Sequence, residues 1–194
     1  MSPKAIYVVD EIGVLIQSVS GALAGKLAAI DPAITGVHYL YGHPEDIKSR
    51  LVAKGRGEST KFDRYPLVAL FMDFAEKTQK DGRITATVQL IIAHHTTKDR
   101  FIEDRYIKVF KPILYPIYGE LMEALANSPV FSNILNSDAV IKEKIDRPRW
   151  GKLKGDNNDG YIFTDVLDAI EVRNLELVLD PVYCTAKTNN ILNA

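Results

Sequence analysis

From Ile84 to Ala93 the chain reads ITATVQLIIA, and its residue types alternate with a period of two. Ile84, Ala86, Val88, Leu90 and Ile92 fall on one side, and Thr85, Thr87 and Gln89 on the other. A β-strand returns its side chains to the same face at every second residue, so this stretch is predicted as a strand with one apolar face. A strand of that length needs partners on its edges and a layer over its apolar side. The chain must therefore build a sheet and cover it. Leu67 to Phe74, apolar on both faces, is predicted as the neighbouring strand, with Lys77 to Gly82 as the turn of an antiparallel hairpin.

The cover comes from helical periodicity. In residues 7–28, Val8, Ile12, Leu15, Val19, Leu23 and Leu27 recur at three-four spacing and form one stripe. Gly13, Gly21 and Gly25 lower its intrinsic propensity and leave room for close packing against another helix. Residues 98–127 carry a second stripe through Phe110, Leu114, Ile117, Leu121 and Leu125. Pro112 lacks a donor and clashes with the preceding turn, so a break is expected at 109–112, with helix from there to Asn127. Between the first helix and the hairpin, Val37 to Tyr41 is a short strand candidate. Pro44 opens a short helix that Glu45 and Asp46 favour and that ends near Lys54-Gly55.

Residues 169–179 are the last predicted strand, and its parity changes midway. Ile170 and Val172 are even, whereas Leu175, Leu177 and Leu179 are odd. One residue has to be absorbed between them, which predicts a β-bulge at Arg173-Asn174. Residues 129–165 show little periodicity and are read as a long loop. Residues 54–64 are read as a mobile basic loop, which binds phosphate or is merely solvated. Residues 181–194 form a C-terminal tail, either an arm reaching a neighbour or a disordered end. The expected fold class is α+β: a small, mainly antiparallel sheet of about four strands on the N-terminal helix and a long proline-interrupted helix. At 194 residues the chain suits a single domain over 1–180.

The charge balance, net −1, gives no global pull toward nucleic acid or membrane. Lys4, Asp10, Glu11 and Lys26 interrupt the apolar N-terminus, so neither a signal peptide nor a membrane span is expected there. The lone Cys184 cannot staple the fold and fits a reducing compartment. No helix start or basic pair is evident beside it, so an inert thiol is preferred over a nucleophile.

The search for chemistry finds no catalytic site, cofactor site or metal site. His94-His95 are adjacent on a strand and point to opposite faces, and no HExxH or HxH spacing occurs. Asp73 and Glu171 suggest a metal-dependent nuclease, but Ile84 to Ala93 carries no acid to complete the pair of acidic strands. Solvated edge charges are the simpler reading. No phosphate-binding glycine loop is present, and DNNDG at 156–160 departs from a calcium loop, with Leu167 where the closing glutamate belongs.

The remaining candidate is an interaction surface. The segment 142–155 holds six basic and two acidic residues around Trp150. Arg147, Arg149, Lys152 and Lys154 suit DNA phosphates or an acidic protein surface, and Trp150 suits an interface anchor or a ring folded back on its own core. Lys54, Arg56, Lys61 and Arg64 of the first basic loop and Tyr183 of the tail complete the expected interface.

Three stretches resemble the small α+β proteins of the neck and tail end of tailed bacteriophages, the tail terminators and head–tail connectors. They are Tyr39-Leu40-Tyr41-Gly42-His43-Pro44, Tyr65-Pro66-Leu67-Val68-Ala69-Leu70-Phe71 and Leu167-Asp168-Ala169-Ile170-Glu171-Val172-Arg173-Asn174-Leu175. The resemblance implies a non-enzymatic virion protein that forms a homo-oligomeric ring, often a hexamer, assembled in the host cytoplasm. Its implied partners are itself and the neighbouring tail-tube or connector proteins, with transient contact to DNA passing through the ring and no membrane. The segment 129–165 is longer than the family pattern needs. A metal-dependent nucleic-acid processing enzyme and a DNA-binding module using 142–154 are the alternatives.

Overall fold

The longest-range organiser is the predicted central strand, which the computed structural model extends to Thr96. Residues 7–54, 65–80, 82–131, 142–150 and 166–179 are described. Within them the order is α1 (Val8–Ile30), β1 (His38–Gly42), α2 (Pro44–Lys54), β2 (Leu67–Phe71), β3 (Glu76–Thr78), β4 (Ile84–Thr96) and α3 (Ile102–Arg105). A π-helical segment (Tyr106–Leu114), α4 (Tyr115–Ala126), β5 (Glu143–Trp150) and β6 (Val166–Leu179) follow. The fold is α+β, with a six-stranded mixed sheet of order β1-β2-β4-β6-β5 and β3 paired to β4.

The sheet is wider than the four strands expected, for two reasons. Residues 76–78, which lie past the expected strand Leu67–Phe74 and run into the expected turn Lys77–Gly82, form β3, paired antiparallel with Ile84 to Ala86. Residues 143–150, expected inside a long loop, form β5, paired antiparallel with β6. β5 reads EKIDRPRW, and that composition is what an edge strand tolerates: charges toward solvent and a proline that no outer neighbour must bond. β1 pairs parallel with β2, His38 opposite Leu67, and α2 lies on the crossover that a parallel pair requires.

β4 sets the two faces. Its even residues Ala86, Val88, Leu90 and Ile92 are buried under α1, the π segment and α4, together with Ile170 and Val172 of β6. Ile91 and Ala93 face the other way, into a second cluster with Ala69 and Ala169 to which α2 contributes Ile47 and Leu51. The expected bulge in β6 is present. Val172 pairs with Leu90 and Leu175 with Val88, so Arg173 and Asn174 stand opposite Gln89 alone. Asn174 takes a left-handed φ of 53°, and past it Leu175, Leu177 and Leu179 return to the first core.

Two helical expectations need correction. The long helix does not break at 109–112: the backbone passes through Pro112 as a nine-residue π segment. The wider turn moves the ring away from the carbonyl it would otherwise strike and shifts the position of the missing hydrogen bond. In α1 the buried stripe runs through Ile16, with Leu15 packed at its flank. Gly13 gives close approach to a strand rather than a helix, since a Cβ there would lie 3.1 Å from the Tyr39 ring. By length and composition alone α1, at 23 residues, is apolar enough to cross a membrane. In the fold its stripe from Val8 to Leu27 packs into the first core.

Candidate interaction surfaces

At one end of the sheet two buried side chains hold several elements together. Asp168 lies on the helix-covered face of β6, in register with His94 on β4. Its Oδ1 accepts from Arg105 Nη1 at 2.7 Å and from the Arg149 backbone N–H at 2.9 Å. The Arg105 Nε donates to Arg100 O at 2.9 Å and its Nη2 to Thr97 O at 2.6 Å. Both side chains are fully buried. The pair therefore anchors the 97–100 turn, the end of α3 and the bulge of β5 at Pro148-Arg149, where Arg149 has φ 55°.

His94 is buried beside this pair, and burial, with His95 and Arg100 nearby, lowers its pKa to about 3. It is neutral at physiological pH. The two histidine rings lie 4.6 Å apart, although β4 continues through both. Among the described residues no group of three or more His, Cys, Asp or Glu is placed to hold a metal.

On the opposite face Glu171 is nearly buried and spent on its neighbours. Its Oε1 accepts from Gln89 Nε2 at 2.9 Å and from Arg173 Nη2 at 2.8 Å, and its Oε2 accepts from Arg147 Nε at 2.9 Å. Asp73 is exposed two residues beyond the end of β2.

The expected interface residues separate. Arg147 binds Glu171, and Arg149 Nη2 donates to Lys98 O at 3.3 Å. Trp150 is half-buried and packs on the second core cluster, as the folded-back reading of that ring required. Lys54 closes α2. Arg56, Lys61, Arg64, Lys152, Lys154, Tyr183 and Cys184 lie outside the described residues, as do the tail and most of the two expected loops.

A surface that the sequence reading did not single out lies between these elements. Phe101, Ile102, Tyr106 and Ile107 are 75%, 55%, 49% and 62% exposed. By α-helical count Ile102 and Tyr106 fall on the same stripe as the buried Val109, Phe110 and Ile113, so no phase in the sequence could have found them. Tyr106 leans on Tyr115, with ring centroids 6.1 Å apart. The Tyr115 hydroxyl donates to Asp146 Oδ2 at 2.8 Å. Burial first, and that bond second, push the phenol up to about 12, so the donor keeps its proton. Lys144 sits 4.5 Å above the same ring. The strip is thus continuous with β5.

An α+β protein with an open mixed sheet and an apolar strip beside one edge is the class these observations define. Comparison with protein-family models, curated proteins and solved structures finds no match.

Proposed function

We propose that the chain is a structural subunit of a tailed-bacteriophage neck or tail end, assembling with copies of itself into a ring without catalysis. The observation that carries the reading is the strip Phe101, Ile102, Tyr106 and Ile107, four large apolar side chains exposed to water within residues 101–107. A contiguous exposed apolar surface marks a docking site more often than chance decoration. It lies beside β5, a sheet edge, and sheet edges invite pairing. The order of helix, strand, short helix, strand, strand, long helix and last strand is what the phage-neck resemblance calls for, and β3 and β5 are inserted into it. On this reading the partners are further copies and the tail-tube or connector proteins stacked on the ring, within the virion.

The enzyme reading draws less support, because both Glu171 oxygens accept hydrogen bonds from neighbouring side chains. The DNA-binding reading weakens as well, since Arg147 and Arg149 are engaged within the chain. Light scattering on the purified full chain, with negative-stain imaging, tests the proposal. Closed rings of several subunits are expected. A monomer at all concentrations, absent from purified particles, sinks it.

A further inference from the structure

We infer that copies join head to tail: the 101–107 strip beside β5 of one copy seats against the β1 end of the next. This rests on the ring reading and specifies its contact. β1 and β5 are the opposite edges of the sheet. The strip belongs to the β5 edge through the Tyr106–Tyr115–Asp146 contacts and the Arg149–Lys98 bond.

The β1 edge has its own exposed apolar pair. Tyr41 and Met72 are 45% and 48% exposed, and the Met72 N–H donates to Gly42 O at 3.1 Å. Tyr39, 5.8 Å from Tyr41 ring to ring, donates its hydroxyl to Val9 O, which brings the start of α1 alongside.

Charge selects the pairing. The segments around the β1 end, the start of α1 (7–14), β1 with α2 (38–54) and 71–78, contain six acidic and four basic residues. Those around the strip, 98–111 and 142–150, contain five acidic residues and, besides the buried Arg105, eight basic ones. Like ends repel and unlike ends attract, which disfavours a two-fold contact of either surface with itself. A contact between two different surfaces propagates from copy to copy, and it closes into a ring when the rotation permits. The occupant of the strip is therefore a second copy.

Two double variants of the full chain test this. One carries Phe101→Asp and Ile107→Asp; the other carries Tyr41→Asp and Met72→Asp. All four side chains are exposed, and circular dichroism checks that each variant folds. Light scattering of each variant alone is expected to give monomers. Mixed in equal amounts they are expected to give dimers and nothing larger, because each supplies the surface the other lacks. A variant that dimerises or assembles alone overturns the inference, and so does a mixture that stays monomeric. If the unmodified chain forms rings and the variants still do, only this contact is wrong. If the unmodified chain is itself monomeric, the ring reading fails and the contact fails with it.

Discussion

Asp168 is a charged residue on the apolar face of a strand, and its partner Arg105 is among the largest fully buried side chains of the described residues. Breaking one half of a buried pair leaves the other charge uncompensated, at about 3–5 kcal/mol. Asp168→Asn should therefore lower the urea midpoint, at an unchanged m-value, by that loss divided by m. Arg105→Met combined with Asp168→Leu should recover a large part of the loss. His94, beside the pair, adds a pH dependence. Its pKa is lowered to about 3, so between the ordinary value near 6.5 and about 3 the unfolded chain binds the extra proton. Stability from this group is fully present above about pH 6.5 and falls with pH, by at most roughly 1.4 kcal/mol per unit. Denaturation curves taken between neutral and mildly acidic pH should show His94→Phe losing less stability than the unmodified chain. An equal loss in both would remove His94 as a cause.

The bulge of β6 is an element-scale device, because it shifts the side-chain alternation by one residue. Deleting Asn174 should drive Leu175, Leu177 and Leu179 from the first core toward the other face, and the protein should not fold. Asn174→Ala places a Cβ-bearing residue without asparagine's tolerance at φ 53° and should cost about 1 kcal/mol, whereas Asn174→Gly should be neutral or mildly stabilising. Thermal unfolding of the two variants side by side gives the comparison. The bulge was legible in the sequence because the large apolar residues of β6 that face the first core, Ile170 and Val172 before it and Leu175, Leu177 and Leu179 after it, change parity. β4 and α1 were legible from their apolar patterning too. β5 was not, since an edge strand that faces solvent carries charges and Pro148 instead of a pattern. Pro112 pointed to a break because a π turn leaves no mark in composition. The 101–107 strip left no signal, because Ile102 and Tyr106 continue the stripe of Val109, Phe110 and Ile113 at helical spacing and read as core. The acidic β1 end was hidden as well, because three short segments remote in sequence meet only when β1 and β2 pair.

At the scale of the whole molecule, the two edges of the sheet differ in charge while the chain as a whole is nearly neutral, at −1. That asymmetry is a dipole across the subunit, and its consequence for assembly can be read from salt. Contacts between exposed charges are screened as the Debye length shrinks from about 10 Å at 0.1 M to about 3 Å at 1 M. The apolar part of the contact is not weakened in that way, and salts that are excluded from protein surfaces strengthen it. If complementary ends bring the copies together, raising sodium chloride from about 0.1 M to about 1 M should shift the assembly midpoint to higher protein concentration, by roughly tenfold. Most of the change should lie in the association rate, since steering acts before contact. Light scattering across a concentration series at each salt gives the midpoints, and stopped-flow mixing of dilute subunits gives the rates. A midpoint that tightens with salt would place the driving force in Phe101, Ile102, Tyr106 and Ile107 alone, with the acidic end playing no part in choosing the partner.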